Sequence, residues 1–162
     1  MSTQRHLADF DRTEVAGAEI LIVETSFNPE IVAALHDGAV AVLAEAGVGF
    51  EVVTVPGALE APAAVSFALQ AEEKRGQHWD GYVVLGCVIR GATGHYDIVA
   101  GESSRALMDI TVENRLALGN GILTVENEEQ AWERADRARL DKGGGAAAAA
   151  LAMVALRRRF GL

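Results

Sequence analysis

The chain has 162 residues, half of them hydrophobic and 23% charged, with 14 Lys+Arg against 23 Asp+Glu for a net charge of −9. A chain of this length buries roughly 70% of its surface in one domain and needs no disulfide or structural metal to do so. A single cysteine, Cys87, excludes an internal disulfide, the acidic balance argues against a nucleic-acid partner, and no apolar run approaches the roughly 20 residues of a membrane span.

Residues 1–17 are expected to form a flexible N-terminal arm ahead of one domain over residues 18–162. The polar start, Met1 to Glu14, has no apolar core of the kind a secretory signal carries, so a cytoplasmic protein is expected. Four short β-branched runs then read as strands: Ile20–Val23, Val52–Val55, Tyr82–Leu85 and Ile122–Val125. Their continuous rather than alternating apolarity predicts strands covered on both faces, as in a parallel sheet.

Helical patterns fill the gaps. Asn28-Pro29-Glu30 reads as a start signal, with Asn28 as the capping side chain and Pro29 at the first helical position, and the pattern runs to Gly47. Further helices are predicted from Ala58 to about Lys74, Asp97 to about Leu116, Glu126 to Arg137, and Gly145 to Phe160. The Arg157–Arg159 run is read as complementing the negative end of the last helix. Trp79 and Trp132 read as packing or subunit contacts. Four β-α repeats with one extra helix predict an open, doubly wound α/β domain.

Such sheets bind ligands beyond the carboxyl ends of their strands, which directs attention to three segments. Phe27, after the first strand, is either a core or staple residue or a ring that stacks on a flat heterocycle. Glu60, after the second, is either a solvated carboxylate in a first helical turn or an acceptor for a polyhydroxylated ligand. The third strand runs into Gly86 to His95, with Cys87 at the strand end and Gly91, Thr93 and Gly94 in a loop that is either a plain tight turn or an anion site. In the second case backbone N–H groups and the Thr93 hydroxyl meet the anion, with His95 beside it to move protons. Cys87 is read as a small buried hydrophobe rather than a nucleophile, and spacing assigns no role to Arg134 or Lys142. No cluster of Cys and His has metal-ligand spacing, so no metal is expected.

These segments together resemble the 6,7-dimethyl-8-ribityllumazine synthase family of riboflavin biosynthesis. The matching stretches are Phe27-Asn28, Val55 to Pro62, Leu85 to Asp97, Gly121 to Asn127, Glu129 to Ala135 and Lys142-Gly143, in family order over roughly residues 18–155. The resemblance implies a three-layer αβα, flavodoxin-like domain around a four-stranded parallel sheet in the order 2-1-3-4. It implies condensation of 5-amino-6-(D-ribitylamino)uracil with 3,4-dihydroxy-2-butanone 4-phosphate, without a cofactor. By the same resemblance Phe27 stacks on the pyrimidine, and Asn28, Ala58, Leu59, Glu60, Cys87, Val88, Ile89 and Asn120 bind the ribitylaminouracil. Ala92, Thr93, Arg134 and Lys142 bind the phosphate substrate, and His95 transfers protons.

Asn120 precedes the fourth apolar run, so it is expected near the opposite rim, about 20 Å away across a strand of about six residues. In the family that position reaches a neighbouring subunit's pocket together with the segment carrying Arg134, which implies a homo-oligomer with shared active sites. Asn120 stands where an aromatic residue is frequent, Leu59 where Phe is, and Gly145 where an acid is common. Residues Asp136 to Asp141 lack the Gly-Asn turn of shell-forming members, so a pentamer or a pair of pentamers is expected. Archaeal-type riboflavin synthase activity and a non-catalytic flavin- or lumazine-binding paralogue are the alternative readings.

Overall fold

The computed structural model describes residues 5–76 and 78–162; residues 1–4 of the expected arm lie outside them. The strands are β1 (Glu19–Thr25), β2 (Gly49–Val55), β3 (Gly81–Ile89) and β4 (Leu118–Val125). The helices are α1 (Pro29–Ala46), α2 (Ala61–Arg75), α3 (His95–Glu113), α4 (Glu128–Ala135) and α5 (Lys142–Arg159). All strand pairs are parallel and the order is β2-β1-β3-β4, the expected 2-1-3-4 sheet of a three-layer, flavodoxin-like α/β domain.

The continuous apolar runs follow from this layering. Along β1, Ile20 and Ile22 enter a core shared with α1, α4 and α5, while Leu21 and Val23 enter a second core against α2 and α3. On β3, Val83 and Leu85 share the first core and Tyr82 and Val84 the second. Only the two central strands behave this way. The edge strand β2 is largely exposed or half-buried, and β4 alternates, with Gly119, Gly121, Leu123 and Val125 buried and Asn120 and Thr124 exposed.

Two strands extend beyond their expected limits. The apolar run that ends at Leu85 continues through Gly86 to Ile89 as the last part of β3, paired with Ile122 to Val125 of β4. β4 itself starts at Leu118, so Asn120 lies within the strand rather than before it. Glycine hid this strand. A β-carbon on Gly119 would run into the Ala146 carbonyl of α5, so Gly119 permits strand and helix to approach closely. α5 also begins three residues earlier than expected, at Lys142, because Asp141 caps it: its carboxylate accepts from the Gly144 N–H at 3.1 Å.

The segment before β1 packs on the domain. Val15 is buried, Phe10 lies against the α1–α5 core, and Arg5 donates to the buried Asp141 carboxylate at 3.0 Å. The terminal arginines serve this segment as well as the helix end. Arg158 donates to the carbonyls of Glu14 and Ala16, and Arg159 to the Glu14 carboxylate. Trp79 is buried in the α2–α3 core and Trp132 packs half-buried on the other. Among the described residues no helix is long and apolar enough to cross a membrane.

Candidate active site

The carboxyl ends of β1, β2 and β3 share one rim, and a cavity of about 370 Å³ opens there. Phe27 and Asn28 supply its β1 side, and Ala58, Leu59 and Glu60, with Gly57, its β2 side. Cys87, Val88 and Ile89 form the end of β3, and His95 and Val99 stand on the first turns of α3. Nine of the residues singled out from the sequence therefore line one crevice, and Gly57 and Val99 join them. Val99 was legible in principle, since a residue four after His95 falls on the same helical face.

Phe27 is 68% exposed, which excludes a core role and leaves a ring face free to stack. Its edge lies over Gly57, where an added β-carbon would come within 3.3 Å of the ring. Asn28 does not cap α1 with its side chain. It adopts a left-handed conformation (φ 55°), and its amide donates to the Cys87 carbonyl at 3.1 Å. The helix start is instead held by its backbone carbonyl, which accepts from Val32 N–H.

Glu60 precedes α2 in a turn closed by its own N–H to the Gly57 carbonyl at 3.1 Å, and its exposed carboxylate makes no cap bond. It is an acceptor facing the cavity. Burial pushes the Cys87 thiol up to about 11, so it is a neutral wall residue near neutral pH and no nucleophile.

His95 is the first residue of α3, and its N–H donates to the Thr93 hydroxyl at 3.4 Å. Residues 90–95 are exposed throughout. Ala92 and Thr93 stand on this connection beside His95 but outside the cavity wall. Asn120, Arg134 and Lys142 do not line the cavity either. Asn120 accepts from Ile122 N–H on the exposed face of β4. Arg134 donates to the Gln130 carbonyl and the Glu133 carboxylate, both at 3.0 Å, and Lys142 opens α5.

A larger groove of about 620 Å³ lies between α2 and α3, lined by polar and charged side chains such as Glu73, Arg105 and Asp109. It lies away from the strand ends and has neither a ring nor an imidazole in its lining. No group of three His, Cys, Asp or Glu among the described residues is arranged to hold a metal ion.

Residues 17–158 match the model of a family described as 6,7-dimethyl-8-ribityllumazine synthase. The chain is 55% identical over 160 residues to the 6,7-dimethyl-8-ribityllumazine synthase of Nitrobacter winogradskyi, covering 99% of this chain and 98% of the relative. It is 53% identical over 160 residues to that of Rhodopseudomonas palustris, with the same coverage. With that of Bartonella tribocorum it shares 59% identity over 142 residues, 88% of this chain and 91% of the relative.

Proposed function

We infer that this chain, which belongs to the 6,7-dimethyl-8-ribityllumazine synthase family, condenses 5-amino-6-(D-ribitylamino)uracil with 3,4-dihydroxy-2-butanone 4-phosphate. The products are 6,7-dimethyl-8-ribityllumazine, inorganic phosphate and water. The 5-amino group attacks the ketone and one water leaves to give an imine. A proton is then lost beside the imine as the phosphate departs, and the resulting enol takes up a proton at its terminal carbon and loses its hydroxyl proton to become a ketone. The second amine closes the ring on the new carbonyl with loss of a second water.

The observation that carries the reading is the convergence of an exposed ring, a free carboxylate and an imidazole on one crevice at the strand ends. Phe27 stacks on the pyrimidine and Glu60 accepts from the ribityl hydroxyls. The backbone at Cys87 to Ile89 fixes the ring edge, as Ala58 and Leu59 wall the other side. His95 carries protons between amine, departing water and departing phosphate, a task suited to imidazole near neutral pH. Thr93 and Ala92 receive the phosphate at the N-terminus of α3, where N–H groups and the helix dipole favour an anion. Holding two substrates in register supplies about 7–11 kcal/mol of an otherwise bimolecular barrier.

The site is completed by a second copy of the chain. Asn120, Arg134 and Lys142 do not line the cavity of their own chain, and we assign them to the crevice of an adjacent subunit, where Arg134 clamps the phosphate through its planar fork. Exposed Phe67 on α2 and Ile98, Met108 and Val112 on α3 give the domain an apolar flank suited to burial between subunits. A closed ring of five such subunits is the assembly proposed. The single reduced cysteine fits the cytoplasm, where the reaction is placed.

Incubation of the protein with both substrates tests the reading: lumazine fluorescence should rise with equimolar release of phosphate. Fluorescence that appears only on consumption of added lumazine would assign the chain to riboflavin synthesis instead.

A further inference from the structure

The connection from β3 to α3 has to hold Ala92, Thr93 and His95 in place, yet it is poorly supported from below. Residues 90–95 are exposed, and a β-carbon added at Gly91 or Gly94 would meet nothing within 4 Å. Two exposed glycines with open space around them make a chain that samples many conformations.

Arg90 bridges the two ends of this connection. Its backbone N–H donates to the Val125 carbonyl at 2.9 Å, anchoring the last residue before the loop to the end of β4. Its guanidinium then spans outward in three directions. Nη2 donates to Asp97 in the first turn of α3 at 3.2 Å, Nε pairs with Glu126 beyond β4 at 2.9 Å, and the group lies 4.0 Å over the Tyr96 ring. Glu126 is itself fixed, since its N–H donates to the Gln130 side chain at 3.0 Å. A planar fork satisfies two carboxylates and a ring face at once, which an ammonium cannot do.

We propose that Arg90 is the positioning residue of the phosphate loop: its fork ties the exit of β3 and the end of β4 to the first turn of α3, and so sets Thr93 and His95. This rests on the reading of the rim cavity as the condensation site. Arg90 does not line that cavity, and its Nε and Nη2 are engaged by two carboxylates of the loop's own supports, so it acts through the loop rather than on the substrate. Isolated surface ion pairs add little stability. The contribution of this cluster is to order a loop before the anion arrives, which lowers the cost of binding.

Amide hydrogen exchange and steady-state kinetics on the wild type, Arg90→Ala, Arg90→Lys and the double variant Asp97→Ala/Glu126→Ala separate the possibilities. Arg90→Ala should exchange its amides at residues 91–96 about tenfold faster, with an unchanged melting temperature. Its KM for the phosphate substrate should rise about tenfold and that for the pyrimidine by less than about twofold. The double variant should show the same pattern, and Arg90→Lys should recover only part of the loss. Unchanged exchange in Arg90→Ala would overturn the proposal whether or not the wild type makes lumazine. Full rescue by lysine, or a double variant indistinguishable from wild type, would show that the charge acts alone and overturn it equally. A wild type that makes no lumazine would reject the condensation reading instead, and the exchange data would still decide the role of Arg90.

Discussion

The amide of Asn28 donates to the carbonyl of Cys87 at 3.1 Å, across 59 positions of chain, while Asn28 itself sits at φ 55°. This bond joins the exit of β1 to the exit of β3 and holds Phe27 out over the crevice instead of in the core. Left-handed backbone costs most L-residues roughly 1–2 kcal/mol, and Asn is among the few that adopt it readily.

Asn28→Ala should therefore lose both the conformational preference and the bond, about 2 kcal/mol in all. Asn28→Gly should lose about half as much, since glycine accepts the backbone but not the bond. Urea unfolding of the two variants checks this. Equal losses would show that the backbone conformation contributes nothing.

Phe27 and Arg134 should separate the two substrates. Phe27→Ala removes an exposed ring, so it should leave the melting temperature unchanged and raise KM for the pyrimidine about tenfold. Arg134→Ala should raise KM for the phosphate substrate by about a hundredfold, with a far smaller effect on the pyrimidine. Initial rates with each substrate varied in turn measure both. Equal losses toward both substrates in Arg134→Ala would give that residue a structural role, consistent with its bonds to Gln130 and Glu133.

Cys87 links burial to pH. Its thiol is pushed up to about 11 by burial, so the folded chain keeps its proton where the unfolded chain has lost it. Stability from this group is complete below the unfolded value near 9 and is lost as pH rises from there toward 11, by about 2–3 kcal/mol. Urea unfolding at pH 8 and pH 10.5 should show a loss about 2 kcal/mol larger in the wild type than in Cys87→Ala, where the Tyr82 phenol, also raised by burial, still contributes. A parallel decline in both would place the effect elsewhere. Alkylation of the folded protein at pH 7.5 should be slow, and Cys87→Ala should keep most of its activity.

The layout of the fold was legible because β-branched runs and Pro29 and Gly47 act locally. α1 begins at Pro29 and ends before a left-handed Gly47, as those residues dictate. Glycine hid the ends of two strands. Gly86, Gly119 and Gly121 fall outside the apolar runs, yet all three lie in strands, where small size serves close packing against Thr25 and Ala146. Asn28 before Pro29 has the local pattern of a side-chain cap, and its partner proved to be a carbonyl on another strand. The fork of Arg90 was invisible because Glu126 lies 36 positions away, and Arg158 likewise reaches back 142 positions or more to Glu14 and Ala16. Convergence of Phe27, Glu60 and His95 was predictable from a rule about strand ends. Asn120, Arg134 and Lys142 do not line the crevice of their own chain, and their proposed place in a neighbour's crevice rests on the family resemblance rather than on any local pattern.

Subunit complementation tests the shared site most directly. His95→Ala and Arg134→Ala proteins are dissociated, mixed in equal amounts, reassembled and assayed at a phosphate-substrate concentration far below the KM of Arg134→Ala, where each is nearly inactive alone. If one subunit supplies His95 and its neighbour Arg134, random mixing in a ring makes about one quarter of the crevices fully wild type, so about a quarter of wild-type activity should return. A mixture that stays at the average of the two parents would show that each chain builds its site alone, and would contradict the account.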